Sequence, residues 1–235
     1  MDILEADSGR ILVSEITDGR VLTFDNVIFS LLKNGSVYTG LYWDYFTPLP
    51  LLYRRAKVLV IGLGGGTTPY QLHKLYGKRV DIDVVEISQE MVRQSERFNP
   101  KLRGKFNLIL GDGAEYIKKC KAKYDIVILD AYESSFRIPK AFLQEAFIRD
   151  VNSALRNGGV FAVNYVFTLK QMFRFPAYAR LLSRYFEIYK ISEGFYLFSN
   201  LVLLCPKGIS VGELRSTIRG RLRKDSENEH VVKKF

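Results

Sequence analysis

KVLVIGLGGGT (57–67), followed by IDVVEI (82–87), is the stretch on which the fold turns. VLVIG (58–62) is a continuous apolar run, the pattern of a strand buried on both faces. The chain then passes through Gly62-Leu63-Gly64-Gly65-Gly66-Thr67, and a helix pattern begins directly after. Glycine lets a backbone turn sharply and approach a ligand without a Cβ in the way. Glu86 ends the next strand about twenty residues on, where a carboxylate can accept both hydroxyls of a ribose. Strand, loop, helix, strand and acid in this order predict a nucleoside cofactor pocket over residues 57–86.

Apolar strand patterns recur downstream as FNLILGD (106–112), YDIVILD (124–130) and GVFAVNYV (159–166). Between them TPYQLHKLYG (68–77), SQEMVRQSERF (88–98) and PKAFLQEAFIRDVNSALRNGG (139–159) carry helical spacing, the last stopping at Gly158-Gly159. YFEIYKI and LFSNLVLLCP read as two further strands that close the sheet in antiparallel fashion. Residues 11–28 alternate around Asp18-Gly19, a hairpin signal. The expected architecture is therefore α/β. It is a Rossmann-like, methyltransferase-type, mostly parallel sheet with helices on both faces (51–210), preceded by a small N-terminal β-hairpin unit (1–50) and followed by a basic helix or tail (211–235).

The chain has 235 residues, 47% of them hydrophobic, enough for one α/β core. It shows no N-terminal signal pattern and no apolar run of about 18 residues, which predicts a cytoplasmic protein without a membrane span. Cys120 and Cys205 read as structural thiols, and His73 and His230 as ordinary helix-surface or tail residues, so no metal site is expected. Part of the net charge of +10 gathers in the tail at Arg215, Arg219, Arg221, Arg223, Lys224, Lys233 and Lys234. That pattern fits a solvated, frayed helix, and no nucleic-acid motif accompanies it.

Two further acidic sites fall at strand ends, where ligands of such sheets bind. Asp112 in Gly111-Asp112-Gly113 can meet an adenine amino group or cap the helix that follows. Asp130-Ala131-Tyr132-Glu133 sets two carboxylates above the same crevice. Moving a carbon group from a sulfonium to an amine is an in-line displacement that needs an aligned, deprotonated amine, and paired carboxylates serve that need.

The order VLVIGLGGG, VVEIS, GDGAEYI and YDIVILDAYES resembles the spermidine synthase family of aminopropyltransferases. Tyr42-Trp43-Asp44 ahead of Pro48-Leu49-Pro50-Leu51 is similar to that family's Tyr-His-Glu segment. The resemblance implies a catalytic group of Asp130, Glu133 and Tyr42, and an acceptor site of Tyr42, Trp43, Asp44 and Tyr132. It implies a cofactor pocket of Gly62, Gly64, Gly65, Gly66, Glu86, Ile87, Asp112, Gly113 and Asp130, with Glu86 on the ribose and Asp112 on the adenine. It also implies a homo-oligomer and a small amine acceptor.

The departures bear on the donor. The family's glycine loop carries an Asp that grips the amine of decarboxylated S-adenosylmethionine and repels the carboxylate of the intact form; here that position is Gly65. A family Gln falls near Phe29, Trp43 replaces the His, and Ser134 replaces a Pro. Aminopropyl transfer from decarboxylated S-adenosylmethionine to a di- or polyamine leads. Methyl transfer from S-adenosylmethionine to an acceptor shaped by Phe29, Tyr42, Trp43 and Tyr132 is the alternative, and a non-catalytic nucleotide- or RNA-binding protein the third reading.

Overall fold

The computed structural model describes residues 3–6, 9–133, 137–192, 199–222 and 227–235. Ser134, Arg223, Lys224 and the start of LFSNLVLLCP lie outside the described residues. Strands β1 (Ile3–Ala6), β2 (Gly9–Ile16), β3 (Gly19–Phe24) and β4 (Val27–Lys33) form an antiparallel sheet in sequence order. The Asp18-Gly19 turn forms as expected, with Ile16 paired to Gly19. A second turn then follows at Asp25 (φ 48°) and Asn26 (φ 66°), residues whose short polar side chains tolerate left-handed backbone, so β4 runs on to Lys33.

The main sheet holds β5 (Ala56–Ile61), β6 (Val80–Glu86), β7 (Asn107–Leu110), β8 (Tyr124–Leu129), β9 (Leu155–Val166), β10 (Tyr189–Ser192) and β11 (Asn200–Pro206). Their order is β10-β11-β9-β8-β5-β6-β7, with β5 to β9 parallel and the last two strands antiparallel, the closure read from the sequence. Alternate residues feed opposite faces, as the pleat requires. Leu59, Ile61, Val127 and Leu129 pack under α3 (Gly113–Lys119), α4 (Glu145–Ala154) and α5 (Leu169–Leu182). Val58, Val60, Ile126 and Ile128 pack with Leu72 of α1 (Thr67–Tyr76) and Leu214 and Ile218 of α6 (Val211–Arg221). Helix α2 (Gln89–Phe98) starts at Ser88, whose hydroxyl accepts from Met91 N at 3.1 Å. Among the described residues no helix is long and apolar enough to cross a membrane.

Two expectations change. The helix expected over 139–159 divides into a 3-10 turn, Lys140–Leu143, and α4, which ends at Ala154. Leu155 already belongs to β9, and Lys207 Nζ crosses from the end of β11 to donate to the carbonyls of Asn152 and Leu155. Gly158 (φ 79°) and Gly159 lie where the β8–β9 register slips, so the pair makes a strand irregularity rather than a helix stop. The C-terminal tail is not frayed over its described part. Leu214, Ile218, Val231 of α7 (Glu229–Val232) and Phe235 are fully buried, because their spacing puts an apolar stripe against the sheet while Arg219 and Arg221 stay outside.

The N-terminal sheet is latched to the glycine loop. Gly65 N donates to Ser30 Oγ at 2.6 Å, Leu31 N donates to Thr67 Oγ1 at 3.1 Å, and Thr67 Oγ1 donates back to Leu31 O at 3.2 Å. At the opposite, amino end of the sheet, acids serve structure. Asp125 accepts from Lys57 N (2.7 Å) and Arg156 Nη1 (2.9 Å), and Asp83 accepts from Tyr124 Oη (2.7 Å) and Asn107 Nδ2 (3.0 Å). Tyr124→Phe removes the short donor to buried Asp83. It is expected to lower stability by about 1–3 kcal/mol in urea unfolding, and an unchanged midpoint would show that Asp83 needs no such partner.

Candidate active site

The chain leaves β5 into the loop with Gly62 at φ 97° and Gly64 at φ 54°. A Cβ on Gly62 would stand 2.3 Å from Asp130 O, so this position needs glycine for space as well as for conformation. Glu86, at the end of β6, ties the loop to the sheet: Oε2 accepts from Leu63 N at 2.9 Å and Oε1 from Ser88 N at 2.8 Å. Burial pushes its carboxyl above the usual range, against the lowering pull of these backbone donors. Each oxygen keeps acceptor capacity for a hydroxyl. Next to it Ile87 is 69% exposed, an apolar ledge at the lip.

Asp112 caps α3 through Oδ1, which accepts from Ala114 N (2.7 Å) and Glu115 N (3.0 Å), and it also lines the cleft. The capping reading of this residue is the one observed. Gly113 packs on Ile61, whose Cγ2 would meet an added Cβ at 2.4 Å. Gly62 and Gly64 line the cleft, whereas Gly65 and Gly66 face the protein. A Cβ on Gly65 would meet Phe98 and Ser30 at 2.7 Å, and one on Gly66 would meet Leu102 at 2.2 Å.

Asp130, at the end of β8, is the centre of the opposite half. Tyr42 Oη donates to both of its oxygens (3.0 and 3.2 Å), Trp43 Nε1 to Oδ2 (3.1 Å) and Asn164 Nδ2 to Oδ1 (2.9 Å). Burial raises the Asp130 pKa, and the three donors oppose that rise. Burial, with Asp130 alongside, also holds the Tyr42 phenol firmly protonated. Asn200 Nδ2 donates to Asn164 Oδ1 at 2.8 Å and so turns the Asn164 amide nitrogen toward Asp130. Tyr132 Oη donates to Asn164 O and lines the cleft. Glu133 stands at the exposed rim, 3.6 Å from Arg137.

Besides Gly65 and Gly66, which were expected in the cofactor pocket, three placements depart from the sequence reading. Trp43 is 2% exposed, and its indole braces Asp130. Asp44, expected to meet the acceptor, is fully buried and accepts from Thr39 N (2.9 Å), Thr39 Oγ1 (2.9 Å), Gly40 N (2.7 Å) and Gln71 Nε2. A carboxylate so occupied is a structural anchor, because the 3-10 turn Tyr42–Phe46 rotates it inward while presenting Tyr42 outward. His230, read as a plain tail residue, places Nε2 at 2.7 Å from Asp44 Oδ2. Asn164 and Asn200 went unread. The available signal was an amide inside an otherwise apolar strand, GVFAVNYV, which a buried strand tolerates only when the amide is bonded.

The two halves face one cleft of about 950 Å3 at the carboxyl ends of the parallel strands. It lies where the strand order reverses between β5 and β8. Phe24 and Phe29 of the N-terminal sheet, their ring centroids 5.3 Å apart, form one wall, and Pro139 to Phe142 another.

A family model described as "Spermine/spermidine synthase domain" matches residues 42–191, more than half of the chain and every acid of the cleft. The chain belongs to the spermine/spermidine synthase family. Putrescine N-methyltransferase 2 of Nicotiana attenuata is 36% identical over 155 residues, 63% of this chain and 41% of that relative. A polyamine aminopropyltransferase of Thermoplasma volcanium is 32% identical over 169 residues, 67% of this chain and 58% of that relative. The chain thus spans about two fifths of the length of the N-methyltransferases it matches. Among solved structures, spermidine synthase from Thermotoga maritima has a TM-score of 0.75 at 21% identity, over 100% of this chain and 83% of that one. Human methyltransferase-like protein 13, in complex with SAH, has a TM-score of 0.64 at 22% identity, over 81% and 91%. Both share this family member's fold.

The packing at Gly65 sets the outcome of restoring the family's loop acid. Gly65→Asp must displace Ser30 or Phe98. It is expected to cost about 1–3 kcal/mol in chemical unfolding and to weaken both forms of the adenosyl donor alike in calorimetry. Selective weakening of the carboxylated donor would show instead that the new side chain reaches the cleft.

Proposed function

We propose that the protein transfers a carbon group from an adenosyl sulfonium to an amine nitrogen. The observation that carries this reading is the convergence of Glu86, Asp112 and Asp130, from the ends of β6, β7 and β8, on a single cleft. Glu86 would take the ribose hydroxyls and Asp112 the adenine amino group, with Ile87 and Phe142 against the base. The sulfonium carbon then lies toward the glycine loop and Asp130. The amine lone pair attacks that carbon, the carbon–sulfur bond breaks, and its electron pair leaves on the thioether. The proton that frees this lone pair passes beforehand from the ammonium to Asp130, whose partly buried carboxylate is a stronger base than one in water. Tyr42, Trp43 and Asn164 fix the direction of that carboxylate, and the faces of Tyr42 and Tyr132 suit a cation awaiting deprotonation.

Family membership and the aminopropyltransferase relative support aminopropyl transfer from decarboxylated S-adenosylmethionine to a di- or polyamine. A second reading, methyl transfer from S-adenosylmethionine, is favoured by the putrescine N-methyltransferase relatives. Calorimetry with both donors, then mass analysis of putrescine and spermidine incubated with each, separates the two. An aminopropyl mass gain supports the first and a methyl gain the second, while binding of neither donor would sink both.

Asp130 acts as the carboxylate, and its pKa is raised. Activity is therefore expected to be full at high pH and to be lost as pH falls through a value above the ordinary Asp figure of about 3.9. Asp130→Asn is expected to lose about a hundredfold or more in kcat while still binding donor. Retained turnover with an unchanged acid limb would remove Asp130 from the chemistry.

A further inference from the structure

His230 sits in α7, outside the cleft and outside the residues 42–191 that match the family. Its ring lies near Tyr38 and Tyr45, with centroids at 6.2 and 6.3 Å, and Nε2 is 2.7 Å from Asp44 Oδ2. Of Asp44's other partners, Thr39 and Gly40 lie just upstream, so its carboxylate closes a small loop with Tyr42 and Trp43 at the tip. Asp44 N also donates to Leu41 O (3.0 Å), and Thr47 Oγ1 donates to Asp44 O (2.7 Å). The tip therefore follows the orientation of the Asp44 side chain, and the two side chains on the tip are two of the three donors that grip Asp130. The segment that carries His230 is itself held. Val231 and Phe235 are fully buried, Ser36 Oγ meets Glu227 Oε2 at 3.3 Å, Lys234 Nζ donates to Ser192 O, and Tyr189 Oη donates to Lys234 O.

We propose that His230 is a positioning residue for Asp130, acting through Asp44 and the Tyr42–Phe46 turn. The proposal rests on the reading of Asp130 as the group that takes the amine's proton. Thr39, Gly40 and Gln71 keep the turn folded without His230, since four bonds to the carboxylate remain. His230 sets the angle at which the carboxylate sits among them. A small error there matters more to turnover than to folding, because misplacing a reacting group by about 1 Å can cost a hundredfold in rate. It also gives the C-terminal segment a task that its charge does not suggest.

The sequence supplies its own reporter. Trp43 is the only tryptophan, and its indole N–H is bonded to the Asp130 carboxylate. The experiment compares the full-length chain with His230→Ala, His230→Gln and, as calibrant, Asp130→Asn. His230→Ala is expected to shift Trp43 emission in the same direction as Asp130→Asn and to raise its quenching by acrylamide. It should lower kcat about tenfold while donor KM stays within about twofold. His230→Gln, whose amide N–H can reach Asp44, should restore emission and kcat. Wild-type emission in His230→Ala overturns the proposal, whatever the turnover. Shifted emission with undiminished turnover supports the coupling and counts instead against the role of Asp130. Should His230→Ala fail to fold, His230→Gln is compared with His230→Met, which has similar length and no donor; equal emission in that pair overturns the proposal.

Discussion

A carboxylate withdrawn from water must find its compensation in the protein, and Asp130 finds it in Tyr42, Trp43 and Asn164. An unpaired buried ion costs several kcal/mol, so these donors are a condition for having the group there at all. They are delivered by two different parts of the chain. Asp130 N donates to Ile61 O, which sets the residue against β5. Tyr42 and Trp43 arrive on a turn closed by Asp44, and Asn164 arrives on β9 with its amide aimed by Asn200 of the antiparallel strand β11. The antiparallel strand β11 therefore helps to set the surroundings of Asp130 as well as extending the sheet.

Glu86 solves the corresponding problem on the donor side by a different route. Its donors are backbone amides of the loop and of the turn after β6, so the same bonds that satisfy the acid also shape the glycine loop. Burial raises both acids above their ordinary range, and in the proposed reaction one would serve as a hydroxyl acceptor and the other as a base.

The parallel core was legible because buried strands such as VLVIG and YDIVILD must be apolar throughout, and because an acid at the end of such a strand has few other reasons to be there. Glu86, Asp112 and Asp130 line the cleft from such positions, Gly62 lies beside them where β5 ends, and Tyr42 joins them from a 3-10 turn. Asp44 was misplaced because a 3-10 turn sends neighbouring side chains in different directions, which an alignment of three residues does not reveal. The helix over 139–159 came out too long because the register slip at Gly158-Gly159 depends on β8, and a residue far along the chain, Lys207, ends the helix. His230 and Asn200 draw their meaning from partners far off in sequence, 186 and 36 residues away, beyond the reach of any local pattern.

The latch between the N-terminal sheet and the start of α1 is made of three bonds shared by Ser30, Leu31, Gly65 and Thr67. Phe24 and Phe29, on the same sheet, close one side of the cleft. Wall and glycine loop are thereby one cooperative unit: lifting the sheet away strips the loop of its bonds to Ser30 and Thr67 of its bonds to Leu31. The first strands of the chain are in this sense a removable stopper fastened to the cavity it covers, and a break anywhere in them would be felt first as a loss of ligand grip and only later as a loss of fold.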